Sequence, residues 1–339
     1  MSNMENIQYP SPKQEYKVLV YCATYNQSRY IEDALNGFAI QQTNFPFVCL
    51  VMDDASTDGE QEVIKAWMER ECDMSRAETI DIPTSVVIIV PHKTNASCTF
   101  AFYLLKQNLY GTGDKKMNHV YPWRAKCEYE ALCEGDDYWI EPLKLQKQVD
   151  FMDANPEYTM CFANAIEHFE DGSKEDEIFS FITNRDYAGL EIYSEWIIPT
   201  ASVLLRVSIF KSDIYKLASN NSNFAHGDIV IFLSCANRGK IKGMSDVVSV
   251  YRRHSGGVTF VRNPNMCERL IKHNENIPIV FGEQYEKAAK KRIVEFALQG
   301  FISSKYKKIS YLMKAFMTNP ICCIQTILQI ILSKIKSVK

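Results

Sequence analysis

Residues 17–23 read KVLVYCA, and residues 47–59 read FVCLVMDDASTDG. Each opens as a valine-rich apolar run with no polar side, the pattern of a strand covered on both faces of a sheet. Each then stops abruptly in polar residues. Thr24-Tyr25-Asn26 follows the first run, and Asp53-Asp54 closes the second. After a polar turn at 25–29, Ile31, Ala34, Leu35 and Phe38 recur at helical spacing. Val63, Ile64, Trp67 and Met68 do the same after the second run, and residues 85–90, SVVIIV, read as a third strand. Strand, helix, strand, helix, strand predicts a parallel sheet flanked by helices. Ligands bind such sheets outside the carboxyl ends of the strands, where these polar clusters lie.

Outward from this core, residues 1–15 read as a loose arm. Residues 100–109 predict a helix and 111–119 a Gly/Lys/Asn loop. A short strand at 129–132 leads into Glu134-Gly135-Asp136-Asp137-Tyr138-Trp139. Leu145, Val149 and Met152 predict a helix ending near Asn155-Pro156, followed by a strand at 158–163 and a charged loop at 171–176. Strands at 201–205 and 247–251 bracket a helix at 229–236. From about residue 270 the character changes, and 283–316 reads as helix with Lys and Arg among apolar residues. The expected organisation is an arm at 1–15, an α/β domain at 16–265 and a helical extension at 266–339.

The bulk properties exclude several classes. With 339 residues, 46% of them apolar and a formal net charge of −3, the chain has ordinary globular composition and no overall basic footprint, so no nucleic-acid partner is expected. Its eleven cysteines form no CxxC pair or zinc spacing, and most sit in apolar runs, which implies a reducing compartment. The polar N-terminus has no signal-peptide h-region, and no run of 18 apolar residues occurs. A cytoplasmic location is expected.

Two acidic clusters carry the chemistry. Adjacent aspartates at a strand end suit a nucleotide pocket, accepting bonds from base N–H and ribose hydroxyl groups; they equally suit a turn that caps the next helix. Glu134, Asp136 and Asp137, three carboxylates around a glycine, suit Mg²⁺ or Mn²⁺, which takes oxygen ligands and typically one or two carboxylates plus phosphates. The alternative is a plain acidic turn.

Together these segments resemble the GT-A fold, family 2 type glycosyltransferases. The resemblance rests on YCATYN (21–26), VMDDASTDG (51–59), CEGDDYW (133–139) and KLQKQVDFMDANPEY (144–158), and covers roughly 16–260. CEGDDYW is similar to the family's metal-binding DxD segment in the variety seen in bacterial polysaccharide enzymes, with Glu134 at the first position. The resemblance implies that Thr24, Tyr25, Asn26 and Asp54 line the nucleotide pocket, with Asp53 in support and Asn108 nearby. Asp136, with Glu134 or Asp137, would hold a divalent metal against the diphosphate. Asp228, in His226-Gly227-Asp228, corresponds to the general base, although N-capping the following helix is its plainer role. Arg252 and Arg253 would face the diphosphate, and His254 is a further metal or phosphate contact. Thr200 and Ser202 would face the acceptor. Trp139 and Trp196 are sugar platforms or core residues.

The resemblance implies an inverting transfer from a nucleotide sugar, UDP by family habit, to a saccharide or lipid-linked saccharide in surface polysaccharide synthesis. A sugar nucleotidyltransferase would carry an early Gly-rich basic loop, which TYNQSR is not; a degenerate carbohydrate-binding scaffold is the non-enzymatic alternative. Residues 321–332 are too short to cross a bilayer at about 1.5 Å per residue. The tail at 320–339 reads as an in-plane membrane helix, a docking surface or a final core helix.

Overall fold

The computed structural model describes residues 9–109, 116–257, 264–304 and 306–336. The chain divides into two compact units. The first holds residues up to Tyr187, Ile197–Ser208 and Gly239–Arg253; the second holds Ala188–Trp196, Ile209–Arg238 and the chain from His254 onward.

The first unit is built on one mixed sheet. Its centre consists of β1 (Tyr16–Thr24), β2 (Phe47–Asp53), β5 (Cys98–Leu105) and β6 (Cys127–Leu132), in the order β5-β2-β1-β6 and all parallel. The intervening β3 (Glu78–Ile82) and β4 (Ser85–Pro91) extend it antiparallel beyond β5. Helices α1 (Ile31–Ala39) and α2 (Glu60–Glu71) connect the first strands. On one face Val18, Val20, Cys22, Phe47, Cys49 and Val51 pack with Leu35, Phe38, Ile64 and Trp67. On the other, Leu19, Val48, Leu50 and Met52 pack with Val120 and Trp123 of α3 (Met117–Arg124). Alternate residues of each run thus enter two cores, which is why neither run has a polar side.

Past β6 the sheet continues through β10 (Leu204–Arg206), antiparallel to both β6 and β8 (Tyr158–Phe169). β8 pairs in parallel with the long β11 (Lys240–Arg253), and the short β7 (Tyr138–Trp139) closes that edge. β9 (Glu177–Ile178) pairs with β8, and α4 (Lys144–Ala154) packs beside β8.

Several expectations are corrected. Residues 100–105, read as the start of a helix over 100–109, belong to β5, the parallel neighbour of β2. A short run buried on both faces carries no periodicity to separate strand from helix. The third strand expected at 85–90 is β4, and it runs antiparallel instead of parallel. Residues 201–205 begin as a 3-10 turn (Thr200–Ser202) before β10. The arm is tied down where described: Pro10 and Pro12 are buried, and the Tyr103 hydroxyl donates to the Pro10 carbonyl at 3.2 Å. The expected loop at 111–119 falls partly outside the described residues, and α3 begins within it.

The second unit is helical: α5 (Gly189–Glu195), α6 (Asp213–Ser219), α7 (Gly227–Arg238), α8 (Pro264–Phe281), α9 (Glu286–Ser303), α10 (Lys308–Thr318) and α11 (Pro320–Lys336). The single helix expected at 283–316 is α9 and α10, and α8 was not anticipated. Cys267, Ile271, Ile293, Val294, Ala297, Leu298, Tyr311, Ala315 and Cys323 form one core. No helix among the described residues is long and apolar enough to cross a membrane.

Candidate functional site

The register of the parallel ladder sets the site. Thr24 lies opposite Asp53 at the carboxyl ends of β1 and β2, and the Asp54 amide donates to the Thr24 carbonyl at 3.0 Å. Beyond β6 the chain keeps following β1: the Gly135 amide donates to the Ala23 carbonyl at 3.2 Å. Three adjacent strand ends therefore present Thr24, Asp53-Asp54 and the 134–137 turn side by side.

The first two turns are stitched together. The Asn26 amide donates to Ser56 Oγ at 2.8 Å, the Thr57 amide to Asn26 Oδ1 at 2.8 Å, and the Ser28 amide to Asp58 Oδ2 at 3.0 Å. Asn26 (φ 55°) and Ala55 (φ 59°) both take left-handed backbone, which for alanine costs on the order of 1 kcal/mol or more. Beneath the turns lies Glu60, fully buried at the start of α2. It accepts the Gln27 amide at 2.9 Å, the Ser56 hydroxyl at 2.8 Å and the Thr24 hydroxyl. Burial raises its pKa despite these bonds. Glu60 was missed from sequence, because an acid in a first helical turn reads as an ordinary response to the helix dipole.

The two aspartates differ. Both carboxyl oxygens of Asp54 are occupied, one by the Leu109 amide at 2.7 Å and the other by Lys116 at 2.5 Å. Its carbonyl accepts from the Asn108 amide side chain at 3.0 Å. Asp53 Oδ1 accepts from Gln61 at 2.5 Å and the Ser56 amide at 3.2 Å, while its Oδ2 is buried with no hydrogen-bond partner among the described residues. Asp53, cast from sequence as support for Asp54, is thus the aspartate with an unused acceptor. A cavity of about 580 Å³ adjoins Gln61 and Ser56, walled by Val86, Ile88 and Leu104.

The acidic turn is pressed against the first one. A β-carbon at Gly135 would lie 2.4 Å from Thr24 Oγ1, 2.6 Å from Gln27 Oε1 and 2.7 Å from Thr24 Cβ, so only glycine fits. Within the turn, Asp137 is buried and accepts the Arg252 amide at 2.9 Å. Burial first, then the charges of Asp136 and Glu134, push its pKa well up. Glu134 is exposed and Asp136 half-buried.

Arg252 anchors this turn. Its Nε donates to the Asp136 carbonyl at 2.8 Å, Nη1 to Glu170 at 2.5 Å and Nη2 to Asp33 at 2.7 Å. Tyr30 and Tyr138 flank the guanidinium at 4.9 and 4.6 Å. Arg253 pairs with Glu167.

Other candidates also have structural settings. Trp139 is buried, donates to the Ala201 carbonyl at 2.7 Å and meets Phe38 edge-on at 4.9 Å, so it is a core residue and not a sugar platform. Ser202 is wholly buried; its hydroxyl donates to the Pro199 carbonyl at 2.7 Å and accepts the Ala163 amide at 3.1 Å, so it faces the core. Thr200 and Tyr25 remain partly or largely exposed. Behind Trp139, Lys144 is wholly buried with its Nζ 4.1 Å from the indole ring and 3.0 Å from Gln148 Oε1. Burial lowers its pKa to about 7.

Asp228 and His254 belong to the second unit. Asp228 opens α7; burial raises its pKa, opposed by nearby His226, and its Oδ1 accepts the Ile229 amide at 2.8 Å. Burial lowers the pKa of His226, against the nearby charge of Asp228, and its ring meets Trp196 edge-on at 5.8 Å. No cluster of three metal-ligating side chains occurs among the described residues.

The mixed sheet with a parallel heart, flanking helices and a helical C-terminal region is the GT-A type of α/β fold expected from the sequence. Solved structures share it: S. aureus TarS 1–349 in complex with UDP-GlcNAc is 17% identical, with a TM-score of 0.53, covering 91% of this chain and 79% of its own. The same protein with UDP gives 16% and 0.53, covering 90% and 81%. At this identity the likeness speaks for the fold. In sequence, the chain is 32% identical over 235 residues to the uncharacterized proteins Rv1520 of Mycobacterium tuberculosis and Mb1547 of Mycobacterium bovis, covering 69% of this chain. It spans 58% of the length of these curated relatives. No family model matches the chain.

Proposed function

We propose that this chain is a metal-dependent inverting glycosyltransferase of family 2 type, moving a sugar from a nucleoside-diphosphate sugar to a saccharide or lipid-linked saccharide acceptor in surface polysaccharide synthesis. One observation carries the reading: the carboxyl ends of β1, β2 and β6 bring Thr24, Asp53 and the 134–137 turn side by side. That is where an open α/β sheet binds its ligand. TarS, which shares the fold, was solved with UDP-GlcNAc and with UDP, so a uridine nucleotide is the first to test.

In this account Asp53 Oδ2 accepts a base N–H, the Thr24–Asn26 turn lines the nucleoside, and Asp54 fixes Leu109 and Lys116 beside it. Asp136 and Glu134 face the diphosphate. A half-buried and an exposed carboxylate suit a hard cation that takes one or two carboxylates and completes its shell with phosphate and water. Such an ion supplies Lewis-acid neutralisation of the leaving diphosphate. Arg252 holds the turn at Asp136. The acceptor hydroxyl attacks the anomeric carbon as the carbon–oxygen bond to the diphosphate breaks, and its proton passes to a carboxylate general base, the role for which the sequence resemblance offers Asp228. A pKa raised by burial suits Asp228 to that task.

The test is release of nucleoside diphosphate from a panel of nucleotide sugars with Mn²⁺ or Mg²⁺, with and without a saccharide acceptor. The expected result is release from one donor, stopped by a chelator and reduced about 100-fold or more by Asp228→Asn. Retention of anomeric configuration in the product would refute inversion, and silence across the panel would remove the enzyme reading.

A further inference from the structure

A helix on a protein surface normally turns its polar side to water. α10 does the reverse. Ile309, Leu312, Met313, Phe316 and Met317 fall at i, i+3, i+4, i+7 and i+8, one continuous stripe, and all five are exposed, Met317 at 78% and Ile309 at 76%. The opposite side, Tyr311 and Ala315, enters the core of the second unit. The next helix repeats the pattern: Ile321, Ile324 and Leu328 of α11 are exposed, while Cys323 faces inward. Scattered apolar residues on a surface are ordinary, but two consecutive helices with apolar stripes in water are not.

Charge identifies what covers them. From residue 296 to 339 the chain carries seven lysines and no Asp or Glu. Among the described residues, Lys307 pairs with Glu268 at 2.7 Å and Lys314 with Glu275, both partners on α8. Lys308 adjoins the stripe on α10 and is exposed. An exposed apolar stripe in a segment whose only charged residues are lysines suits the boundary of a bilayer, where the stripe enters the acyl region and ammonium groups meet anionic headgroups. A second copy of the chain docked through the same stripe would bring Lys308 against its like, with no acid in 296–339 to receive it. Neither helix is long and apolar enough to span.

We propose that α10 and α11 form an in-plane docking surface for an anionic lipid bilayer, with the exposed stripe of α10 as its main contact. The inference stands on the second unit alone and does not depend on the catalytic reading.

The test is co-sedimentation of the full-length protein with vesicles of phosphatidylcholine alone or with about a third phosphatidylglycerol. Wild type should pellet with the anionic vesicles and be released by high salt. The combined variant Met313→Gln, Phe316→Gln, Met317→Gln should lose at least roughly tenfold in partitioning, since each change removes buried apolar area. The single Met317→Gln variant, at the most exposed position of the stripe, should lose at least about threefold and serves if the triple variant melts early. Wild type remaining in the supernatant, or variants pelleting like wild type, overturns the proposal. So does a wild-type dimer in sedimentation velocity that the variants lack, since the stripe would then belong to a second copy.

Discussion

Gly135→Ala tests how the two motif turns are joined. The added methyl would sit 2.4 Å from Thr24 Oγ1 and 2.7 Å from Thr24 Cβ. Carbon contacts settle near about 3.5 Å, so the turns must part by roughly 1 Å. Thr24 cannot simply rotate away, because its hydroxyl is held by Glu60 and Gln27 at the buried base of the site. Overpacking of this kind costs about 1–3 kcal/mol. In a chain of this size that lowers the melting temperature by roughly 2–10 °C. The functional loss should be larger than the stability loss. A misplacement near 1 Å between groups proposed to hold base and diphosphate costs on the order of 100-fold in rate. Calorimetric melting and nucleoside-diphosphate release, measured on the same preparation, check both. A variant that melts within about 1 °C of wild type and turns over at the wild-type rate refutes the reasoning, because the close approach would then constrain nothing.

Three further outcomes follow from particular side chains. Arg252→Met should destabilise by roughly 2 kcal/mol or more in chemical denaturation, since it strips partners from Glu170, Asp33 and the Asp136 carbonyl, and Arg252→Lys should not restore the loss, lacking the guanidinium fork. Lys144→Met should change the pH dependence of stability. With the folded pKa depressed to about 7, the contribution of Lys144 is fully present only above its unfolded value and is lost as pH falls toward 7, so the wild-type deficit relative to the variant should shrink by up to about 1.4 kcal/mol per pH unit as pH rises above 7. Equal slopes for the two proteins would contradict a buried amine. Asp53→Asn replaces an unused acceptor with a donor; the apo melting temperature should stay within about 2 °C, while nucleotide affinity measured by calorimetry falls at least roughly tenfold.

The parts legible in sequence were those that local pattern determines. The runs ending at Thr24 and Asp53 could be read as strands because both of their faces enter cores, and their polar ends marked the ligand edge of the sheet. β5, Cys98–Leu105, is buried in the same way, yet residues 100–109 read as a helix, since a short continuous apolar stretch fits either form. The acidic turn was visible as composition, but not its anchor: Arg252 lies 115 residues beyond Asp137, and only the β11 ladder brings it there. Aromatic type alone did not say which way Trp139 points, and the order of Asp53 and Asp54 did not say which would keep a free oxygen. That choice rests on Leu109 and Lys116, contributed by segments whose path past β5 carries no local signature.

The strand ends of β1, β2 and β6 are proposed to form a nucleotide site. The most direct measurement is thermal stabilisation of the wild type and Asp136→Ala by nucleoside diphosphates, with and without Mn²⁺. A ligand at about 100 times its Kd adds roughly 2.7 kcal/mol to the native state alone. One diphosphate should stabilise the wild type in the presence of metal, and the variant should lose that gain. If no nucleotide shifts the wild-type melt under any condition, or the variant responds as the wild type does, the strand ends do not form that site.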